Sequence, residues 1–369
     1  MKKQRIVLAS VLKPIDDTRM FEKIGRSLSD NPNYEIFVIG YPSKTPPNVP
    51  AITFIQHPNF VRLSLKRVLM PLRILKKIYK VKPDALIVNT HELLIVAVLI
   101  RILFGTRVIY DVQENYWRNI LWTDSFPPIL KHIIALWVRG KEILLSRYFD
   151  LFFLAEKGFE KEMKFFKNKS LVLENKSILP KEFTRTKSSG TIQLLFSGTI
   201  SDSTGVFEAI KLAIELQQQD QSVSLHIIGY CSLSSTLQSV KQAIEDKPFI
   251  TLTGGEHLVP HHEILDQISI SDFGFIYYPA SPHTENRIPT KLYEYLSAQL
   301  PMLIQNYPPW VELCEPCLAA IPIDFLSPID ATTLLQKMKQ TKFYPTAPMD
   351  VRWSSEEKKL HEAMSKILA

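Results

Sequence analysis

The sequence predicts an α/β chain built from two doubly wound, parallel-sheet domains facing a cleft. Three observations carry that prediction. Short, mostly continuous apolar runs alternate with helical patterns, which is how parallel strands covered on both faces read in sequence. The alternation is broken by a Lys-, Ser- and Thr-rich stretch at residues 181–190 and then restarts. At 369 residues the chain also exceeds what one hydrophobic core usually supports.

Taken in order, residues 5–12 read as a first buried strand, 20–28 as a helix and 35–40 as a second strand. The opening Met1-Lys2-Lys3-Gln4-Arg5 and the apolar run behind it faintly resemble a signal peptide. That run meets Lys13-Pro14 and Asp16-Asp17 with no small-residue cleavage site, so it is read as a strand. A cationic amphipathic segment follows at 62–82, where Pro71 predicts two short helices or one kinked one. Then come a buried strand at 85–89, a helix at 92–104 and a strand at 107–111. After the break, strands are expected at 191–197, 223–228, 249–253, 273–277 and 302–305, with helices between them, the first at 205–217. A closing helix at 354–368 can return to brace the first domain. The expected domains are therefore 1–185, 186–350 and a C-terminal helical piece, 351–369. Ligands of such sheets collect at the carboxyl ends of the strands.

Charge is split along the same boundary. Residues 1–185 hold 31 Lys+Arg against 17 Asp+Glu, whereas residues 186–369 hold 13 against 20. No acidic residue lies between Glu35 and Asp84, and eight basic ones fall between Arg62 and Lys82, interleaved with apolar residues. Such a segment suits an anionic membrane surface; it also suits a core helix with a solvated basic face, or nucleic acid. No zinc-finger or RNP-like motif accompanies the charge, which argues against nucleic acid. The apolar run at 93–100 is closed by Arg101, well short of the roughly 20 residues a bilayer span needs, so the chain is expected to lie on a membrane and not cross it. Three cysteines argue against a disulfide framework and for a reducing, cytoplasmic setting at the inner face of the membrane. Cys314 and Cys317 form a C-x-x-C, but no second pair or His cluster completes a zinc site, and no metal is expected.

The most informative stretch is Asn286-Arg287-Ile288-Pro289-Thr290-Lys291-Leu292-Tyr293-Glu294-Tyr295. Pro289 suits the first turn of a helix, and residues three apart share a face, so Lys291 and Glu294 point the same way. A helix N-terminus favours an anion, so a diphosphate can sit beside Lys291 with Arg287 in reach, while Glu294 takes a ribose diol. The alternative is an exposed Lys/Glu pair worth about 0.2 to 0.5 kcal/mol.

Context favours the ligand site, because an ordered series of motifs resembles the GT-B glycosyltransferases, specifically the group that includes glycosyltransferase family 4. Phe196-Ser197-Gly198-Thr199 resembles the first strand and glycine turn of the family's donor domain, and His226-Ile227-Ile228-Gly229 the strand ending beside the nucleotide. Thr251-Leu252-Thr253-Gly254-Gly255 and Ile270-Ser271-Asp272-Phe273-Gly274 resemble two further strands. Pro289-x-Lys291-Leu292-x-Glu294-Tyr295 is the most specific piece. In the first half Asp17-Thr18-Arg19-Met20-Phe21, Asn89-Thr90-His91-Glu92, Tyr110-Asp111-Val112-Gln113-Glu114 and Leu173-Glu174-Asn175 resemble family segments in the expected order.

The resemblance implies two Rossmann-like domains in a GT-B arrangement, acceptor-binding first and nucleotide-sugar-binding second, in a hexosyltransferase-type enzyme that retains anomeric configuration. It implies donor contacts from Gly198, Thr199, Gly229, Gly255, Arg287, Lys291 and Glu294, acceptor contacts from Asp17 and Arg19, and chemistry near His91, Gln113 and Glu114. No cofactor is implied beyond the nucleoside-diphosphate sugar itself. Three departures stand out. Asn286 occupies the position of the family's first carboxylate, with Glu285 one position off; residues 201–205 lack the family's basic pair; and Gln113 replaces a histidine, so it can orient a sugar but cannot accept a proton. The leading expectation is a metal-independent transferase acting on a lipid-linked or polysaccharide acceptor at a membrane. A nucleotide-sugar epimerase of the same fold and a catalytically weakened homologue are the alternatives.

Overall fold

A computed structural model of the chain describes residues 3–43, 46–60, 64–122, 127–186, 190–279 and 287–369. The chain divides into two compact units, Met1–Asn175 with Trp353–Ala369, and Lys176–Arg352.

The first unit holds strands β1 (Gln4–Pro14), β2 (Tyr34–Tyr41), β3 (Ile52–Gln56), β4 (Ala85–Val88), β5 (Arg107–Val112), β6 (Leu151–Leu154) and β7 (Ser170–Val172). They form one sheet in the order β3-β2-β1-β4-β5-β6-β7, and every neighbouring pair is parallel. A π-helix, Thr18–Gly25, runs into the short α1 (Arg26–Ser29) where one α-helix was expected. Helices α2 (Leu65–Val81), α3 (Leu94–Phe104), α4 (Tyr116–Trp122), α5 (Pro128–Leu145) and α6 (Gly158–Glu162) follow. The cationic segment forms one helix with Pro71 inside it. Its buried residues Met70, Ile74, Ile78 and Val81 recur at helical spacing on both sides of the proline, so packing holds the helix together where one backbone hydrogen bond is lost.

The second unit holds β8 (Ile192–Thr199), β9 (Val223–Tyr230), β10 (Ile250–Gly255), β11 (Phe273–Ile276), β12 (Met302–Gln305) and β13 (Ala320–Ile323), parallel in the order β10-β9-β8-β11-β12-β13. Its helices are α7 (Val206–Gln219), α8 (Ser234–Ile244), α9 (His261–Ile270), α10 (Thr290–Ser297), α11 (Pro308–Cys314) and α12 (Ala331–Gln340). Alternation along the strands divides the interior in two. Leu194, Phe196, Ile227, Phe275 and Leu303 pack with α7 and α12, whereas Leu195, Ile228, Ile276, Met302 and Ile304 pack with α9, α10 and α11.

Strand order reverses between β1 and β4 in one unit and between β8 and β11 in the other, so each unit has its own switch point. Four strands, β3, β6, β7 and β13, have no counterpart in the sequence reading. Three of them are sheet edges, where strands are short and tolerate residues such as Pro322.

The division falls at 175/176, ten residues before the expected 185/186. The intervening segment is already held by the second unit: the Ser177 N–H donates to the Val351 carbonyl at 3.2 Å, and Arg185 Nη1 to the Gln299 carbonyl at 2.7 Å. The closing helix α13 (Ser354–Leu368) belongs to the first unit. It buries Leu360 and Met364 there, and just before it Trp353 Nε1 donates to Ser27 Oγ at 2.9 Å.

Candidate functional site

At the carboxyl ends of the central strands of the second unit the backbone is stripped of side chains. Gly198, next to last in β8, lies opposite Gly229 of β9, which in turn lies opposite Gly254 of β10. The packing there is close: a Cβ on Gly229 would stand 1.6 Å from the Gly198 carbonyl oxygen. Gly198 itself has φ +100°, a conformation that other residues rarely adopt. The row continues through Gly254, while Gly255, the expected donor contact, pairs with Tyr230 and lies against Leu237. The G-G dipeptide is visible in sequence, but only strand register separates its two members. Thr199, the last residue of β8, is exposed.

Lys291 comes up beside this row, its Cε 4.0 Å from where a Gly198 Cβ would be. Pro289 is the residue just before α10 and not its first turn, which puts Lys291 at the second helical position. The Lys291 side chain is buried, and its Nζ meets no hydrogen-bond partner among the described residues. Two aromatic faces surround the ammonium, Phe196 at 4.7 Å and Tyr278 at 5.6 Å from the ring centroids. Burial pulls the Lys291 pKa down to about 8, with the nearby Glu294 carboxylate opposing the shift.

Glu294, one turn on, accepts a hydrogen bond from His261 Nε2 at 2.9 Å. His261 opens α9, and nothing in the sequence reading pointed to it. Arg287 is exposed; its carbonyl accepts from Trp310 Nε1 at 2.7 Å, and its charge partly offsets the effect of burial, which raises the Tyr278 phenol. Beneath Lys291, the buried Ser197 Oγ and Tyr295 hydroxyl share a hydrogen bond of 2.8 Å that ties α10 to β8. Residues 201–205 form a turn in which Ser201 and Thr204 cap each other, leading into α7. Glu285 and Asn286 lie outside the described residues.

The first unit treats its candidate residues differently. Asp17 caps the π-helix, accepting from the Arg19 and Met20 N–H groups at 3.1 and 2.8 Å. Arg19 is buried against Asp111, with Nε and Nη2 donating to Oδ1 at 3.0 and 2.7 Å, while Nη1 donates to the Leu173 carbonyl at 2.8 Å. Asp111 also accepts from Gln113 Nε2 at 2.8 Å, and Lys23 Nζ donates to Asn175 Oδ1 at 2.6 Å. Arg19, Gln113 and the 173–175 segment thus converge on one buried network. Glu114 accepts from Asn119 Nδ2 at 3.0 Å.

His91 follows β4, beside the switch point, and belongs to a second cluster. Lys141 Nζ lies 3.0 Å from its Nδ1, and Glu92 Oε1 lies 3.6 Å from its Nε2; Arg67 Nε donates to the same Glu92 oxygen at 2.8 Å. Burial lowers the His91 pKa to about 4, so the ring is neutral near pH 7. Lys141 beside Nδ1 and the Glu92 carboxylate beside Nε2 favour the neutral tautomer that carries its proton on Nε2, which suits His91 to donate a hydrogen bond. Deeper in, the Tyr110 hydroxyl donates to Glu142 at 3.1 Å, and burial raises Glu142 to about 7. Lys141 and Glu142 were not anticipated, and Asp111 entered only as a member of its motif. Asp111 carried the available signal, since a carboxylate inside an apolar strand requires a partner.

No family model and no curated protein matches the sequence. Solved structures do match along the whole chain. Sucrose-phosphate synthase from Thermosynechococcus elongatus shares 10% identity at a TM-score of 0.71, over 99% of both chains. A glycosyltransferase from Rickettsia africae shares 11% at 0.65, over 100% of this chain and 99% of that one. Anabaena HepE, solved with UDP-glucose, shares 12% at 0.65, over 98% and 99%. The chain has the GT-B glycosyltransferase fold, with two Rossmann-like parallel sheets, as the motif order implied.

Proposed function

We propose that the chain is a glycosyltransferase that takes a nucleoside-diphosphate sugar on its second unit and transfers the sugar to a lipid-linked or polysaccharide acceptor at a membrane surface. The observation that carries this reading is the buried Lys291 ammonium, which meets no hydrogen-bond acceptor among the described residues, beside the glycine row at the β8 end of the switch point. A buried cation without a partner is costly, and a diphosphate is a ligand that removes the cost. The shared fold with HepE, whose structure holds UDP-glucose, supports the donor class.

Departure of the sugar places negative charge on the leaving diphosphate. Lys291, Arg287, the positive N-terminal end of the α10 dipole and the backbone N–H groups of Gly198 and Thr199 supply the opposing field. That positive charge makes a metal unnecessary for the step, so the reaction is proposed to be metal-independent. Glu294, oriented by His261, takes the ribose diol. A retained anomeric configuration, with a donor phosphate oxygen receiving the acceptor proton, accords with a first unit in which His91 is a donor and Gln113 is held by Asp111.

The acceptor half of the proposal rests on α2, whose exposed Lys66, Arg73, Lys76 and Lys80 face solvent with no carboxylate on the helix. No described helix is long and apolar enough to cross a membrane. All three cysteines are free and buried, in keeping with a cytoplasmic site of action at the inner membrane face.

Titration calorimetry with UDP- and GDP-sugars tests the donor site, with Lys291→Ala and Glu294→Ala each expected to weaken binding by at least about 10-fold. Product analysis by mass and by anomeric NMR, with and without a lipid acceptor, tests the transfer. Donor conversion without acceptor would indicate an epimerase, and unchanged binding in both variants would remove the site assignment.

A further inference from the structure

Helix α5 is built inside out. Its inward residues are Ala135, Val138, Lys141 and Glu142, all buried, on a helix packed beside α4 and α3. Its solvent face carries Ile129, Ile133, Leu136, Trp137 and Leu144, of which Ile129 is 81% and Trp137 63% exposed. These positions recur at three- and four-residue spacing, so they form one stripe along the helix. A helix packed on the body of a soluble protein does the reverse, turning its apolar stripe inward and its charges out. Here Lys141 and Glu142 are spent on His91 and Tyr110 inside, and the oily side is left bare.

The neighbouring helices also carry exposed apolar stripes. α3, packed beside α5, exposes Ile95, Leu99, Ile102 and Leu103, and α2, packed beside α3, exposes Leu65, Val68, Leu69 and Leu72. Single exposed apolar residues are ordinary, but three adjacent helices each with an apolar stripe are not. The charge on these helices has one sign. Glu142 is the sole acidic residue of α2, α3 and α5, and it is 2% exposed.

We propose that α5 lies in the boundary between headgroups and acyl chains of an anionic bilayer, inserting Ile129, Ile133, Leu136 and Trp137, with α3 beside it and α2 as the basic rim. The inference rests on the membrane part of the proposed function and adds to it that attachment is insertion through α5, not charge attraction through α2 alone. An anionic lipid surface is the occupant that answers both features, since it offers phosphates to the rim and hydrocarbon to the stripe. A second copy of the chain would set two cationic faces against each other, and a nucleic acid would leave the apolar stripe unused.

The test uses the full chain and vesicles of phosphatidylcholine with about 30% phosphatidylglycerol. Sedimentation is expected to weaken at least about tenfold when Ile133, Leu136 and Trp137 are replaced together by Gln, with thermal unfolding unchanged because all three side chains are exposed. Tryptophan emission is expected to be quenched by acyl-brominated lipid, and the quenching to fall in Trp137→Phe. If the α5 variant binds like the parent and quenching is absent, while neutralising Lys66, Arg73, Lys76 and Lys80 releases the protein, insertion is overturned and the membrane reading stands. If the parent binds no anionic vesicle, both fall. If Trp137→Phe instead dissociates a concentration-dependent dimer, the face belongs to a second copy and the proposal is overturned.

Discussion

Two buried cations at the carboxyl ends of two similar sheets meet opposite fates. Arg19 in the first unit is fully engaged, gripped by Asp111 and the Leu173 carbonyl. Lys291 in the second has two aromatic rings and no hydrogen-bond acceptor among the described residues. The comparison separates two uses of buried charge. A paired cation holds elements together, here the π-helix, β5 and the 173–175 segment. One with no acceptor among the described residues carries a cost that the proposed diphosphate would relieve, which is the difference expected between a binding site and a structural network of the same composition.

Removing each cation should therefore move stability in opposite directions. Arg19→Met strands Asp111 inside the sheet and is expected to destabilise the first unit by about 3 to 5 kcal/mol, read as a lower denaturant midpoint. Lys291→Met removes an unsatisfied charge and keeps the packing against Phe196. It is expected to leave the free protein as stable or up to about 3 kcal/mol more so, while weakening nucleoside-diphosphate binding about 10- to 100-fold. Equal destabilisation in the two variants would erase the contrast.

A smaller effect follows from pH. Burial takes Lys291 from its ordinary 10.5 to about 8 in the folded chain, so between those values the unfolded state binds more protons. Its contribution to stability should rise with pH through that window, and the difference in stability between parent and Lys291→Met should narrow. A bound diphosphate favours the ammonium and raises its pKa, so donor affinity should fall as pH climbs above about 8. Calorimetry across the window checks both trends, and a flat affinity profile would place the diphosphate elsewhere.

How much of this contrast was legible beforehand follows the range of the interactions. The strands of the second sheet show as apolar runs, and Lys291 with Glu294 shows as a spacing, because both are local. Arg19 is also visible in its motif, yet its partner is 92 residues away, and sequence offers no means of telling an acceptor-binding arginine from a paired one. Gly254 and Gly255 are adjacent in sequence and divided only by register with β9. Helix α5 went unread for a different reason: an apolar stripe in sequence predicts a core, and only the exposure of Trp137 and Ile129 shows that this stripe points out.

The finest division within the site is between Glu294 and the residue that aims it. His261 Nε2 donates to Glu294 Oε1 from the start of α9, a separate element, so it can fix the carboxylate without itself touching a sugar. His261→Ala should then cost about 1 kcal/mol of nucleotide affinity, roughly a fivefold loss, against the far larger loss in Glu294→Ala. His261→Gln, whose amide can still donate, should recover most of it. The discriminating measurement is a pair of ligands, the nucleoside diphosphate and its 2′,3′-dideoxy analogue. If His261 acts through Glu294 on the ribose diol, the variants will differ for the first ligand and converge for the second. If instead His261→Ala weakens both ligands equally, the histidine supports the α9–α10 packing and the ribose assignment of Glu294 loses its support.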